Sequence, residues 1–175
     1  NVASLATARS QGQGGYHALE WLAYAYLQQG MRDDAAKLVQ SVADDVASKP
    51  TQGNRTSLAY VRAMWLGETG SADPMGWAEV DETGIKAISA FSAYDFARGV
   101  VAARSGNVSA AAAQARRLQT RSDAARANAV GVVASRYDPV TPAAPAQGQI
   151  LATAREGAIL FAQGRRDDGL DRVRE

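Results

Sequence analysis

The chain has 175 residues, 37 of them Ala and 16 Gly, with no Cys, a single His at His17, and Lys+Arg 19 against Asp+Glu 18 for a net charge of +1. The missing Cys excludes disulfide frameworks, thiolate-held metals and thiol nucleophiles, and one His excludes any two-His metal site. Balanced charge makes neither nucleic acid nor an anionic membrane the expected partner, while so much Ala with so little alternation points to an all-α protein whose helices lie close together.

In chain order, Gly12-Gln13-Gly14-Gly15 follows no strand and carries no Lys-Ser/Thr, so it is expected to be a flexible connector between helices rather than a phosphate loop. Tyr16–Val42 reads as a helix, a tight turn and a second helix, and the pattern returns at Ser92–Leu118 and Ile150–Glu175. The turn glycines are Gly30, Gly106 and Gly164, suited to the left-handed conformation that ends a helix. Seven residues before them stand Ala23, Gly99 and Gly157, and five residues after them Ala35, Ala111 and Gly169. Small residues belong there because antiparallel helices joined by a short turn must approach closely beside it. Asp33-Asp34, Ser109 and Asp167-Asp168 follow the turns as expected caps of the new helices.

Between the first two pairs, Arg55–Gly70 supplies another first-type helix ending at Gly67 or Gly70. Its second helix is interrupted by Asp73-Pro74-Met75-Gly76, leaving a degenerate repeat near 55–80. Arg126–Gln149 contains Pro139, Pro142 and Pro145 and reads as a partial helix followed by a loop near 137–149. Asp44-Asp45, the run Arg116–Arg121 and Arg165-Arg166 are expected on solvated helix faces. No apolar run approaches the roughly 18 residues a membrane span needs, so membrane insertion is not expected.

This pattern resembles the tetratricopeptide repeat. Leu22, Ala23, Tyr26, Gly30, Ala35 and Val42 carry the likeness in the first unit, Gly99, Gly106, Ala111 and Leu118 in the second, and Gly157, Leu160, Gly164 and Leu170 in the last. The later units diverge, with Arg98 and Glu156 where a large apolar residue is usual. The order HALEWLAYAYLQ, YVRAMWL, FARGVVAARSGNVSAA and the final repeat is similar to the C-terminal part of a group of bacterial tetratricopeptide-repeat proteins. The resemblance implies one α-solenoid segment over 1–175, antiparallel helix pairs stacked in a right-handed superhelix with partly degenerate repeats. It also implies that Asn1–Arg9 is the second helix of an earlier repeat and that the chain is a piece of a longer superhelix. Many such relatives look exported, so the resemblance leaves both a cytoplasmic and an envelope location open.

Stacked repeats of this family present their first helices on a concave face, where a partner lies. Helical spacing turns Leu19, Leu22, Ala23 and Tyr26 inward and His17, Glu20, Trp21, Tyr24 and Gln28 to the other side. Phe96, Val100 and Arg104, then Ala154, Ala158 and Phe161, take the equivalent face later. These residues are the expected partner-binding site, since Trp and Tyr anchor a partner with little entropy loss; the alternative for Trp21 and Tyr24 is packing against a neighbouring repeat or loop. Glu20, Tyr24 and Phe96 stand where members that grip a C-terminal carboxylate carry Lys, Arg and Asn, so that mode is not expected. His17 has Ser4, Ser10 and Glu20 near it in sequence but in no catalytic motif. The expected function is a non-catalytic protein–protein interaction scaffold with no cofactor and no metal, binding a protein or peptide and no nucleic acid. Self-association through the solenoid ends is a further expectation. The alternative is a small-ligand-binding or enzyme-supporting helical domain whose active part lies outside this chain.

Overall fold

The same backbone turn ends four helices of the chain. A helix end leaves carbonyls without intrahelical donors, and a left-handed residue just beyond it lets the following amides turn back onto them. Gly12, Gly30, Gly106 and Gly164 adopt that conformation, with φ of 70°, 73°, 76° and 80°. Gly30 N–H donates to Leu27 O at 3.0 Å and Met31 N–H to Tyr26 O at 2.8 Å. The equivalent amides of Gly106 and Asn107 reach Ala103 O and Ala102 O, and those of Gly164 and Arg165 reach Phe161 O and Leu160 O. All three predicted turns are present. The amides of Gly12 and Gln13 make the identical pair of bonds, to Arg9 O and Ala8 O, so the glycine-rich connector begins as an ordered helix stop.

The computed structural model describes residues 1–71, 77, 79–85, 87–128 and 143–174, and the described residues form helices joined by turns and irregular segments, with no strand. The helices are α1 (Val2–Ser10), α2 (Tyr16–Gln28), α3 (Arg32–Ser48), α4 (Gln52–Thr69), α5 (Ile88–Arg104), α6 (Val108–Asn128), α7 (Ala143–Ala162) and α8 (Arg166–Arg174). Helices α2 and α3, α5 and α6, and α7 and α8 form hairpins across the glycine turns. Helix α2 also lies on α4, α4 on α5, and α5 on α7, while α3 packs on α4 and α6 on α7.

The caps depart from expectation. The glycine turn puts Met31 at the N-cap of α3, with no side-chain capping bond, so Asp33 and Asp34 fall inside the first turn. There they complement the positive helix end without capping it, and Asp34 pairs with Lys37 at 2.9 Å. Asp167 and Asp168 likewise lie in the first turn of α8, and Asp168 pairs with Arg165 at 2.7 Å. In α6 the capping side chain is Asn107, whose Oδ1 accepts from Ala110 N at 3.0 Å, rather than Ser109.

Helix α4 starts earlier than Arg55 because Thr51 and Asn54 cap it reciprocally: Asn54 N donates to Thr51 Oγ1 and Thr51 N to Asn54 Oδ1. Buried Asn54 also donates to Asp45 O and Lys49 O, fastening the end of α3 to the start of α4. Helix α4 stops at Gly70, φ 64°. No helix pairs with it among the described residues before α5; Asp73, Pro74, Met75 and Gly76 lie outside the described residues. Val80, Ile85 and Ala87 of the irregular segment instead join the core.

The predicted loop near 137–149 is corrected at its end, since α7 begins at Ala143. Pro145 falls in the first turn, where its missing N–H leaves no intrahelical bond unmade. Residues 137–142 of that loop lie outside the described residues.

The core is formed chiefly by Leu19 and Ala23 of α2, Val39 and Val42 of α3, Leu58 and Val61 of α4, and Ala90 and Tyr94 of α5. A smaller cluster joins Ala103, Ala111 and Ile159 where α5, α6 and α7 meet. All six small residues flanking the turns are buried. They do not share one job, however. At Gly157 and Gly169 the backbones of α7 and α8 themselves approach, whereas a side chain on Gly99 would strike the stem of Arg155 from α7.

Candidate partner-binding face

On α2 the sequence-predicted stripe is exposed and ordered by ring contacts. His17 and Trp21 meet edge-on with centroids 6.2 Å apart, and Trp21 and Tyr24 do so at 6.5 Å. Trp21 Nε1 donates to His17 Nε2 at 3.2 Å. Trp21 and Tyr24 remain 54% and 40% exposed. Gln28 is exposed beyond them, and Glu20 is half-buried beside Ser57 of α4.

Burial pushes the Glu20 carboxyl above the usual carboxylate range, while the Ser57 hydroxyl and His17 pull it back. A carboxyl whose folded pKa is raised holds its proton longer in the folded state, so its ionisation detracts from stability above the unfolded pKa. Glu20→Gln is therefore expected to raise the melting temperature at pH 7. The difference should vanish as pH falls below the ordinary carboxylate pKa, which paired thermal melts across pH 3–8 would read.

The second half of the face is concave. Between α4 and α5 a hollow of about 470 Å³ is walled by Tyr60, Met64, Phe96 and Val100. Between α5, α7 and α8 a second hollow of about 550 Å³ is walled by Val100, Ala154, Ala158, Phe161 and Leu170. Val100 and Arg104 border both, so the two form one apolar depression with a cation at its middle. Phe161 is 46% exposed at its far edge. Of the predicted site residues, Phe96, Val100, Arg104 and Phe161 come together here. His17, Glu20, Trp21, Tyr24 and Gln28 line neither hollow.

Sequence reasoning missed the contributions of α4 and α8. Tyr60, Met64 and Gly67 recur at i, i+4 and i+7 on α4, a spacing that marks one helix face. Leu170 and Val173 of α8 are 45% and 54% exposed and close the second hollow.

A charged cluster ties α5 to α6. Asp95 of α5 is fully buried and meets Arg121 Nη1 at 3.1 Å and Arg117 Nε at 3.4 Å, and Glu82 pairs with the same two arginines. Burial raises the Asp95 carboxyl above its ordinary value despite these cations. The run 116–121 is thus not simply a solvated face: Arg117 and Arg121 turn inward to anions, leaving Arg116 exposed. Arg155 of α7 is also fully buried. It donates through Nη1 to Asp95 O at 3.1 Å, while its Nε and Nη2 find no hydrogen-bond partner among the described residues.

Among the described residues no helix is long and apolar enough to cross a membrane, and no group of three His, Asp or Glu side chains is placed to hold a metal. No protein-family model, no curated protein and no solved structure matches this chain.

Proposed function

We propose that the protein is a non-catalytic scaffold whose helix hairpins are units of a tetratricopeptide-like right-handed superhelix. It binds a protein partner, as a peptide or helix, along the α4–α5–α7 face. The observation that carries this reading is the continuous apolar depression centred on Val100 and Arg104 and edged by Phe96 and Phe161. Apolar side chains two turns apart on a partner helix would fill the two hollows, and an acidic side chain between them would meet Arg104. The exposed His17–Trp21–Tyr24 stripe offers a separate anchor on α2. The lone histidine uses its Nε2 on Trp21, which argues against a role in activating a nucleophile.

Peptides selected from a random display library against the folded protein test this. They should share two apolar anchors flanking an acidic residue and lose at least about tenfold in affinity toward Phe96→Ala with Phe161→Ala. Tyr24→Ala should leave peptides confined to the depression unaffected. Peptides indifferent to the Phe96 and Phe161 substitutions, with the variant folded by circular dichroism, would sink the assignment of the groove.

A further inference from the structure

The apolar depression carries an ordered row of charges. Its two hollows follow one another across the helices, the first between α4 and α5 and the second between α5, α7 and α8. Packed helices stand about 8–10 Å apart. The hollows therefore succeed one another at close to the roughly 11 Å that two turns of a helix span. Glu68 in the last turn of α4, Arg104 in the last turn of α5 and Arg166 at the start of α8 stand in that order across the depression. Glu68 lines only the first hollow, and Arg104 borders both. The Arg166 guanidinium lies 6.0 Å over the Phe161 ring, which edges the second. The ends of α4 and α5 are adjacent, since a Cβ on Gly70 would lie 3.7 Å from an Arg104 guanidinium nitrogen. All three charged residues are exposed, and among the described residues none is in an ion pair.

From α4 to α8 the row reads anion, cation, cation. Other arginines of the chain are spent on partners, Arg98 on Glu79 and Arg117 and Arg121 on Asp95, so unpaired charge is a property of this face. Complementary charges fix the register of a bound partner, and like charges brought together suppress the wrong one. We infer that the charge row sets the direction in which a partner helix lies. An amphipathic helix with a basic residue one turn outside its two apolar anchors lies with that residue over α4, against Glu68, rather than over α8, against Arg166. This rests on the reading of the depression as a partner groove. An acidic residue between the anchors meets Arg104 in either direction, because Arg104 borders both hollows. It holds the helix without orienting it, and direction is decided at the ends. Asp167, next to Arg166 in the chain, offsets part of the cation there, so Glu68 carries most of the discrimination. Exposed ion pairs are individually weak, but attraction at one end with repulsion at the other gives about a fivefold preference, which salt reduces.

Two alanine-rich helical peptides, bound to the whole chain, test the direction. Both carry two leucines two turns apart with a glutamate between them. One has a lysine one turn before the first leucine, the other a lysine one turn after the second. A nitroxide on a cysteine at each peptide's N-terminus labels the peptide alone, since the protein has no Cys. With the lysine-first peptide the label should broaden the amide resonances of Gly67 and Glu68 more than that of Leu170, and with the lysine-last peptide the reverse. Glu68→Lys with Arg166→Glu, both at exposed positions, should exchange the two patterns. Arg104→Gln should weaken both peptides about two- to fivefold and leave their directions unchanged. Labels that broaden the same end for both peptides, or patterns that the paired reversal does not exchange, would overturn the directional reading and leave the groove standing. No binding by either peptide, or binding indifferent to Phe96→Ala with Phe161→Ala, would remove the groove and the direction with it.

Discussion

Arg155→Met is expected to make the protein more stable, by about 1–4 kcal/mol at neutral pH. Arg155 is fully buried on α7, and among the described residues its guanidinium gains one hydrogen bond, to Asp95 O, while Nε and Nη2 find none. Desolvation pulls its pKa down to about 10, although Asp95 and Glu156 oppose that shift. The charge therefore persists at pH 7 at the expense of the fold. Methionine keeps most of the unbranched stem that lies against Gly99 and removes the uncompensated donors. Asp95 O lies inside α5, where it retains its place in the helical ladder, so it is not orphaned by the change.

The contrasting variant is Arg155→Ala, which removes the stem as well and should lower stability by about 2 kcal/mol through the cavity it opens. The sign of the pH dependence follows from the lowered pKa. Between about pH 10 and the ordinary arginine value the folded state binds fewer protons than the unfolded state, so the wild type gains stability as pH rises there. The advantage of Arg155→Met should accordingly shrink above pH 10. Urea unfolding of the three proteins at pH 7 and pH 10.5 reads both effects. A loss of stability in Arg155→Met would mean that the guanidinium is net stabilising.

Arg155 also shows where sequence reasoning stopped. The turn glycines were legible because their signal is local: a left-handed residue is needed at a helix end, and Gly supplies it at Gly30, Gly106 and Gly164. The small residues at fixed offsets were legible for the same reason, since the turn dictates where the two helices touch. Arg155, by contrast, sits in a helical run where an arginine ordinarily faces water. Its burial depends on Gly99 and Asp95, the latter sixty residues away in sequence. Arg117 and Arg121 turn inward to Asp95 of α5 and to Glu82, which stands on an irregular segment with no periodicity.

The face shows the same division. Helical spacing on α5 and α7 found Phe96, Val100, Arg104 and Phe161. It also grouped them with the α2 stripe by analogy between repeats, whereas α4 intervenes alone, without a partner helix among the described residues, and supplies Tyr60 and Met64 to the hollow. Caps were misplaced by two residues because the glycine turn brings Met31 and Asn107, not the later polar residues, to the helix start.

Gly157→Ala and Gly169→Ala are each expected to destabilise the α7–α8 hairpin by about 1–3 kcal/mol, although alanine is the better helix former. A Cβ on Gly157 would lie 2.8 Å from Gly169 O, and one on Gly169 would lie 2.8 Å from Gly157 O. The approach is reciprocal and involves backbone on both sides, so no side-chain rotamer relieves it; the helices must separate. Separation would also draw Val173 and Leu170 away from the hollow they close. Gly67 on α4 is the control. Nothing stands within 4 Å of a Cβ placed there, and its φ is not in the left-handed region. Gly67→Ala should therefore stabilise the protein by about 0.5–1 kcal/mol, the ordinary gain from replacing a helical glycine. Thermal unfolding of the three variants, with hydrogen exchange across α7 and α8, separates a local opening of that hairpin from global loss. If all three substitutions stabilised the protein alike, backbone contact between α7 and α8 would not be what holds the last hairpin closed.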